Sequence, residues 1–187
     1  MDTSTLYLVL GLLAFGVALS LRLSLAAVDA ARNFAAARTL QPTPPLDEVI
    51  PAISARPLQG RAHKELSSLE MPAVLLFLSS TCPKCRQKLP EVAGYLPLLE
   101  HAGLELWLVS REPAWRLRRF LRGSPLAQHA LRVGMRDYKM LNPTMGSPFY
   151  LFVDNDGKLQ AGGMVGDENW QTFQQQMQEI GAQREAA

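Results

Sequence analysis

Residues 73–90 read AVLLFLSSTCPKCRQKLP, and the fold is decided there. The first six, AVLLFL, are a short continuous apolar run, the pattern of a strand covered on both faces. Beyond Cys85, the residues Leu89, Val92, Leu96 and Leu99 recur at helical spacing, with Pro90 and Pro97 expected to kink or shorten the helix. Between strand and helix lies Ser79-Ser80-Thr81-Cys82-Pro83-Lys84-Cys85, which puts Cys82 at or next to the helix N-terminus. Unpaired backbone N–H groups and the helix dipole favour an anion there. Pro83 suits the first helical turn, where its missing N–H costs nothing.

Outward from this segment the pattern alternates. Residues 104–109 (LELWLV) predict a second buried strand, 115–121 a basic helix, and 148–153 (PFYLFV) a third strand. Asp154-Asn155-Asp156-Gly157 predicts a hairpin turn leading into residues 158–165, and 169–180 predict a closing helix. Residues 134–147, with Met135, Met140 and Met145, read as irregular filling beside the site. Trp107 and Trp115 read as core or half-core, and Arg111, Arg116, Arg118, Arg119 and Arg122 as a solvated basic face. A parallel βαβ followed by an antiparallel ββα predicts an α/β fold, a central mixed sheet with helices on both faces.

Upstream, residues 6–21 carry no charge, and apolar character resumes after Arg22. Such a stretch is long enough to cross a hydrocarbon core of about 30 Å as a helix. The leader Met1-Asp2-Thr3-Ser4-Thr5 lacks the basic residues of a secretory signal, so a retained anchor is expected. Residues 29–39 are Ala-rich and prolong that helix; Pro42, Pro44 and Pro45 end it. The expected organisation is a transmembrane anchor over 1–28, a helical extension and Pro-containing spacer over 29–57, and a globular domain over 58–187. Within the spacer, Val49, Ile50 and Ile53 read as extended. Arg22, Arg32 and Arg38 follow the span and Asp2 precedes it, an asymmetry that places the domain in the cytoplasm. Redox reasoning places it in an oxidising compartment.

The chain has two cysteines, three positions apart. A bridge between them closes almost no chain and stabilises little, so chemistry explains the pair better than stapling does. The helix N-terminus, with Lys84, Arg86 and Lys88 nearby, favours the thiolate, the nucleophilic form. Cys82 is therefore expected as nucleophile and Cys85, one turn on, as the residue that resolves the mixed disulfide. The competing readings are half of a metal site and two structural thiols. No second CxxC is present, and His63, His101 and His129 show no ligand spacing, so no metal is expected. A net charge of +2 and the lack of phosphate-loop or RNA-binding motifs give no support to a nucleic-acid partner.

The segment 77–90, FLSSTCPKCRQKLP, resembles the active-site region of the membrane-anchored thioredoxin-like proteins of the TlpA/ResA group. Within that group it is most similar to the methylamine utilisation proteins of the MauD type, accessory factors in amine dehydrogenase maturation. Leu58, Gln59, Gly60 and Arg61, then Leu66, Ser67, Ser68 and Leu69, are similar to that family's lead-in hairpin and turn. Residues 146–157, GSPFYLFVDNDG, are similar to its proline–strand–turn block. The resemblance covers roughly residues 58–180 and implies a thioredoxin-like fold. It implies a redox-active disulfide between Cys82 and Cys85 with no other cofactor, and a cis Pro148 facing the dithiol. It also implies that the backbone of Ser147 pairs with an extended client peptide. Pro83, Lys84 and Thr81 then support the site. Two departures stand out: Thr81 replaces the tryptophan common before the first cysteine, and Leu76 stands where many relatives bury an acid.

The resulting expectation is a single-pass protein of the inner membrane with its domain on the periplasmic face. It would exchange disulfides with a protein client, such as an amine dehydrogenase small subunit, and with an upstream membrane redox partner. The alternatives are a non-enzymatic holding factor with the same fold, a haem-pathway thiol reductase, and a metal-binding module.

Overall fold

The computed structural model describes residues 13, 16, 17, 19–22, 24 and 45–185, and the chain divides into two units, Met1–Gln41 and Pro42–Ala187. In the first unit the described residues are helical and exposed. Among the described residues no helix is long and apolar enough to cross a membrane. The expected anchor and its extension fall largely outside them.

The second unit is built on a seven-stranded sheet of order β2-β1-β5-β4-β3-β6-β7. Its strands are β1 (Ser54–Pro57), β2 (Lys64–Glu65), β3 (Ala73–Phe77), β4 (Glu105–Ser110), β5 (Ala130–Arg132), β6 (Phe149–Val153) and β7 (Leu159–Met164). The helices are α1 (Pro83–His101), α2 (Ala114–Phe120), α3 (Met135–Leu141) and α4 (Glu168–Glu185), with a 3-10 turn over Pro125–His129. β3 pairs parallel with β4 and antiparallel with β6, so the segment that decided the fold is an interior strand paired on both edges. All five of its residues are buried. Alternation sends Val74 and Leu76 to one face, and Ala73, Leu75 and Phe77 to the other.

The sheet thus separates two cores. On one face Val74, Leu76, Leu106 and Leu108 pack with Cys85, Val92 and Leu99 of α1 and with Trp170, Phe173 and Met177 of α4. On the other, Leu75, Phe77, Val109, Phe149 and Leu151 pack with Tyr138 and Leu141 of α3 and with Ile50 and Ile53. This is a thioredoxin-like α/β fold.

Four expectations are revised. The stretch read as spacer joins the domain: Ile50, Ile53 and Ala55 are buried, β1 pairs with β5, and Val49 bridges Lys158. The helix α1 runs unbroken through Pro90 and Pro97, because both rings lie on its exposed face, two turns apart. The carbonyls their missing N–H groups leave free can meet water there. Residues 134–147 are not irregular throughout but contain α3. Trp115 is 61% exposed rather than core. Leu117 and Phe120 take the buried stripe of α2, and a position two residues from Leu117 points about 200° away on a helix.

The hairpin turn is held by Asp154, whose Oδ1 accepts the N–H of Asp156 and of Lys158 at 3.0 and 2.8 Å. Gly157 has φ +75°, and a Cβ there would strike the Ser67 carbonyl oxygen, so the turn and the segment over it require glycine.

Candidate active site

The chain leaves β3 at Phe77 and enters α1 at Pro83, and Cys82 is the N-cap residue between them, with φ −89° and ψ 116°. Its sulfur occupies the place that a serine or aspartate oxygen takes at other helix starts, and accepts the Cys85 N–H at 3.3 Å. Cys82 is half-buried, whereas Cys85 is fully buried, and both are free thiols. Burial pushes the Cys82 thiol up, but hydrogen bonds more than offset it and its pKa falls below the ordinary 9.0. The contributors are the Cys85 thiol and N–H, the Ser147 hydroxyl and the Lys84 N–H. For Cys85 burial wins: the thiol is pushed up to about 12, with Cys82 adding to the rise and the Ser79 backbone and the Ser147 hydroxyl opposing it. Unequal burial and unequal hydrogen bonding have split two chemically identical groups into one that ionises readily and one that holds its proton.

Pro83 occupies the first helical turn and is exposed, as is Lys84. The depressed Cys82 value comes from backbone, thiol and hydroxyl donors, not from the basic side chains expected to produce it. Arg86 instead lies over the Phe120 ring at 5.8 Å, and Lys88 pairs with Glu91. Thr81 is exposed, with its hydroxyl 2.9 Å from that of Ser79.

The Ser147–Pro148 peptide, immediately before β6, is cis. The Cys82 thiol donates to the Ser147 carbonyl across 3.4 Å, which brings these two distant parts of the sequence together. Pro148 is buried and its carbonyl accepts the Val165 N–H at 3.0 Å, while Ser147 remains half-buried at the mouth. Met145, with φ 55° in the left-handed region, borders the same mouth.

Beside the dithiol is a polar pocket of about 230 Å³, lined by Ser79, Thr81, Ser110, Glu112, Tyr138 and Ser147 among others. Glu112 was not singled out from sequence, since a lone acid after a strand reads as surface. Its position at the C-terminal end of a parallel strand, where α/β folds gather their sites, was the available signal. A larger, mostly apolar cleft of about 330 Å³ lies at the opposite end of the sheet, beside Pro72, Leu104 and Phe152, away from both sulfurs. Among the described residues no group of three or more His, Cys, Asp or Glu side chains is arranged to hold a metal ion.

Solved structures share this fold at low sequence identity. The thioredoxin domain of a thiol-disulfide oxidoreductase from Bacteroides vulgatus is 19% identical with TM-score 0.59, covering 72% of this chain and 99% of that one. A putative thiol:disulfide interchange protein DsbE from Chlorobium tepidum is 18% identical with TM-score 0.61, covering 73% and 97%. A peroxiredoxin-like protein from Aquifex aeolicus is 14% identical with TM-score 0.56, covering 74% and 89%. No match is found among curated proteins. The model of the AhpC/TSA family matches residues 46–162, a span that takes in β3, the dithiol and the cis-proline strand, and the chain belongs to that family.

Proposed function

We propose that the protein is a thiol–disulfide oxidoreductase acting on a protein client through Cys82 and Cys85. The observation that carries this is the asymmetric pair. A half-buried thiol of lowered pKa caps a helix, one turn from a buried thiol raised to about 12. Cys82 attacks a client disulfide to give a mixed disulfide, and Cys85 displaces the client from Cys82. The Ser147 carbonyl has no backbone partner among the described residues, so a client strand has an open acceptor beside the nucleophile. Exposed Thr81 and Lys84 and half-buried Met145 form the surrounding contact surface. The long apolar N-terminal stretch supports a tether to the inner membrane, and the resemblance to the TlpA/ResA group supports a domain on the periplasmic side. Similarity to the MauD type supports an amine dehydrogenase small subunit as client and a membrane redox protein upstream.

The test is a trap in intact cells. Cys85→Ala leaves Cys82 unable to release a client, so discrete adducts that disappear on reduction are expected on non-reducing gels. They should be absent from a Cys82→Ala control, and mass spectrometry identifies the partner. If there is no adduct, and the double variant keeps the wild-type phenotype, the fold serves as a holding factor instead.

A further inference from the structure

Residues 71–90 and 113–136 hold no acid, yet they carry Lys84, Arg86, Arg116, Arg118, Arg119 and Arg122, all exposed. A helix advances about 100° per residue, so burying Leu117 and Phe120 turns Arg118, Trp115, Arg119 and Arg116 outward across an arc of about 160°. Among the described residues the salt bridges are Lys64–Glu105 and Lys88–Glu91, and neither takes in one of these arginines. The one acid beside them, Glu112, is turned inward. Its Oε1 accepts the Ser79 hydroxyl at 3.0 Å and the Ser80 N–H at 2.8 Å, so it holds the loop before α1 rather than pairing with an arginine. Nor do the cations tune the nucleophile, which hydrogen-bond donors already favour as thiolate. Aromatic rings steady three of the guanidinium groups instead. Arg116 lies over Trp115 at 5.2 Å, and Arg86 over Phe120 at 5.8 Å, which joins the dithiol helix to α2. Arg111, 6.0 Å from the Tyr138 ring, lines the polar pocket together with Thr81 and Ser147. The basic face therefore reaches the client-facing mouth at two points, through Arg86 and through Arg111.

We propose that this face is the docking surface for a protein client whose disulfide is flanked by carboxylates, with Trp115 as the anchor among the arginines. The inference rests on the exchange reading above and adds the chemistry of the partner. Guanidinium groups bind carboxylates through paired hydrogen bonds, and Trp and Arg carry a large share of the energy at protein interfaces. Because the arginines have no acid partner in the domain, no internal ion pair has to break when a client arrives. The net charge is only +2, so the attraction is local rather than general. Exposed acids stand instead at the far end of the sheet, as Glu100 at the close of α1 and Asp156 in the hairpin turn. That separation makes the dithiol end positive, and it turns the mouth toward an acidic surface during approach. An anionic bilayer offers the same charge. Seating this face on lipid, however, would cover Cys82 and the open Ser147 carbonyl, whereas a protein client brings its disulfide to them.

The test uses the reduced full-length chain, solubilised in a non-ionic detergent, and two disulfide-linked peptides of equal length. One has glutamates flanking each cysteine and the other lysines. Each rate is divided by that peptide's rate with mercaptoethanol, so that the intrinsic reactivity of its disulfide cancels. At low salt the glutamate peptide should react at least about tenfold faster than the lysine peptide. In about 1 M salt, where charges are screened beyond about 3 Å, the gap should close to within about threefold. The triple variant Arg118→Gln, Arg119→Gln, Arg122→Gln should lose about tenfold on the glutamate peptide relative to the neutral probe hydroxyethyl disulfide. The corresponding triple lysine variant should keep most of the rate, which separates charge from a structural role. Equal rates on the two peptides overturn the proposal, as does a glutamine variant that retains the preference. Reconstitution into vesicles of brominated phosphatidylglycerol supplies the lipid arm. Quenching of tryptophan fluorescence that disappears in Trp115→Phe would seat the face on the bilayer and also overturn the proposal. A wild type that fails to reduce hydroxyethyl disulfide overturns the exchange reading itself, and this proposal with it.

Discussion

Cys82 and Cys85 pull the stability of the reduced protein in opposite directions as pH rises. Cys82 ionises at lower pH folded than unfolded, so it adds stability that is complete above the unfolded value and is lost as pH falls through the folded one. Cys85 behaves conversely. Between its ordinary value of 9.0 and its folded value of about 12, the unfolded chain releases a proton that the folded chain retains, and stability falls as pH rises. Tyr138, also pushed up to about 12 by burial, contributes in the same direction, so the comparison must isolate the thiol. The melting temperature of reduced wild type should decline more steeply than that of Cys85→Ser across this alkaline range. Equal slopes would mean that Cys85 is not held protonated by the fold. The pair itself was legible in the sequence, because strand, CxxC and helix are contiguous there. Glu112 was not, because Ser79 and Ser80 lie more than thirty positions away in the chain and only the parallel pairing of β3 with β4 brings them together.

At the scale of elements, legibility followed length. The strands β3, β4 and β6 and the helices α1 and α4 were readable because each carries enough apolar residues to show a period. The strand β5 has three residues and α3 buries only Tyr138 and Leu141, too little for any pattern to emerge. The strand β1 was hidden behind prolines that read as spacer, yet Pro57 sits in the sheet opposite Leu131. Prolines misled again in α1, where Pro90 and Pro97 interrupt the backbone ladder without ending the helix. Each removes an N–H and crowds the preceding turn, at a cost of up to about 3 kcal/mol in a helix interior. Pro97→Ala, on the exposed face, is therefore expected to stabilise the protein by about 1–3 kcal/mol in urea unfolding. A loss of stability instead would show that the ring's rigidity in the unfolded chain outweighs the missing bond.

At the scale of the molecule, the described domain closes its own sheet and two cores within the unit Pro42–Ala187. If the N-terminal stretch is a tether and nothing more, removing residues 1–41 should move the protein from the membrane to the soluble fraction. Reactivity of Cys82 towards iodoacetamide and the melting temperature should both persist. Loss of either would make the first unit part of the working domain. The two cores also differ in what they support. The dithiol and α1 rest on one, whereas Tyr138 and Met145, beside the client-facing mouth, rest on the other, with the sheet between them. Substitutions on opposite sides of such a partition share few neighbours and tend to add rather than interfere. Evolution can therefore revise which proteins are recognised while leaving the electron-transfer chemistry untouched, a division of labour that lets one scaffold acquire new clientele by small, independent changes.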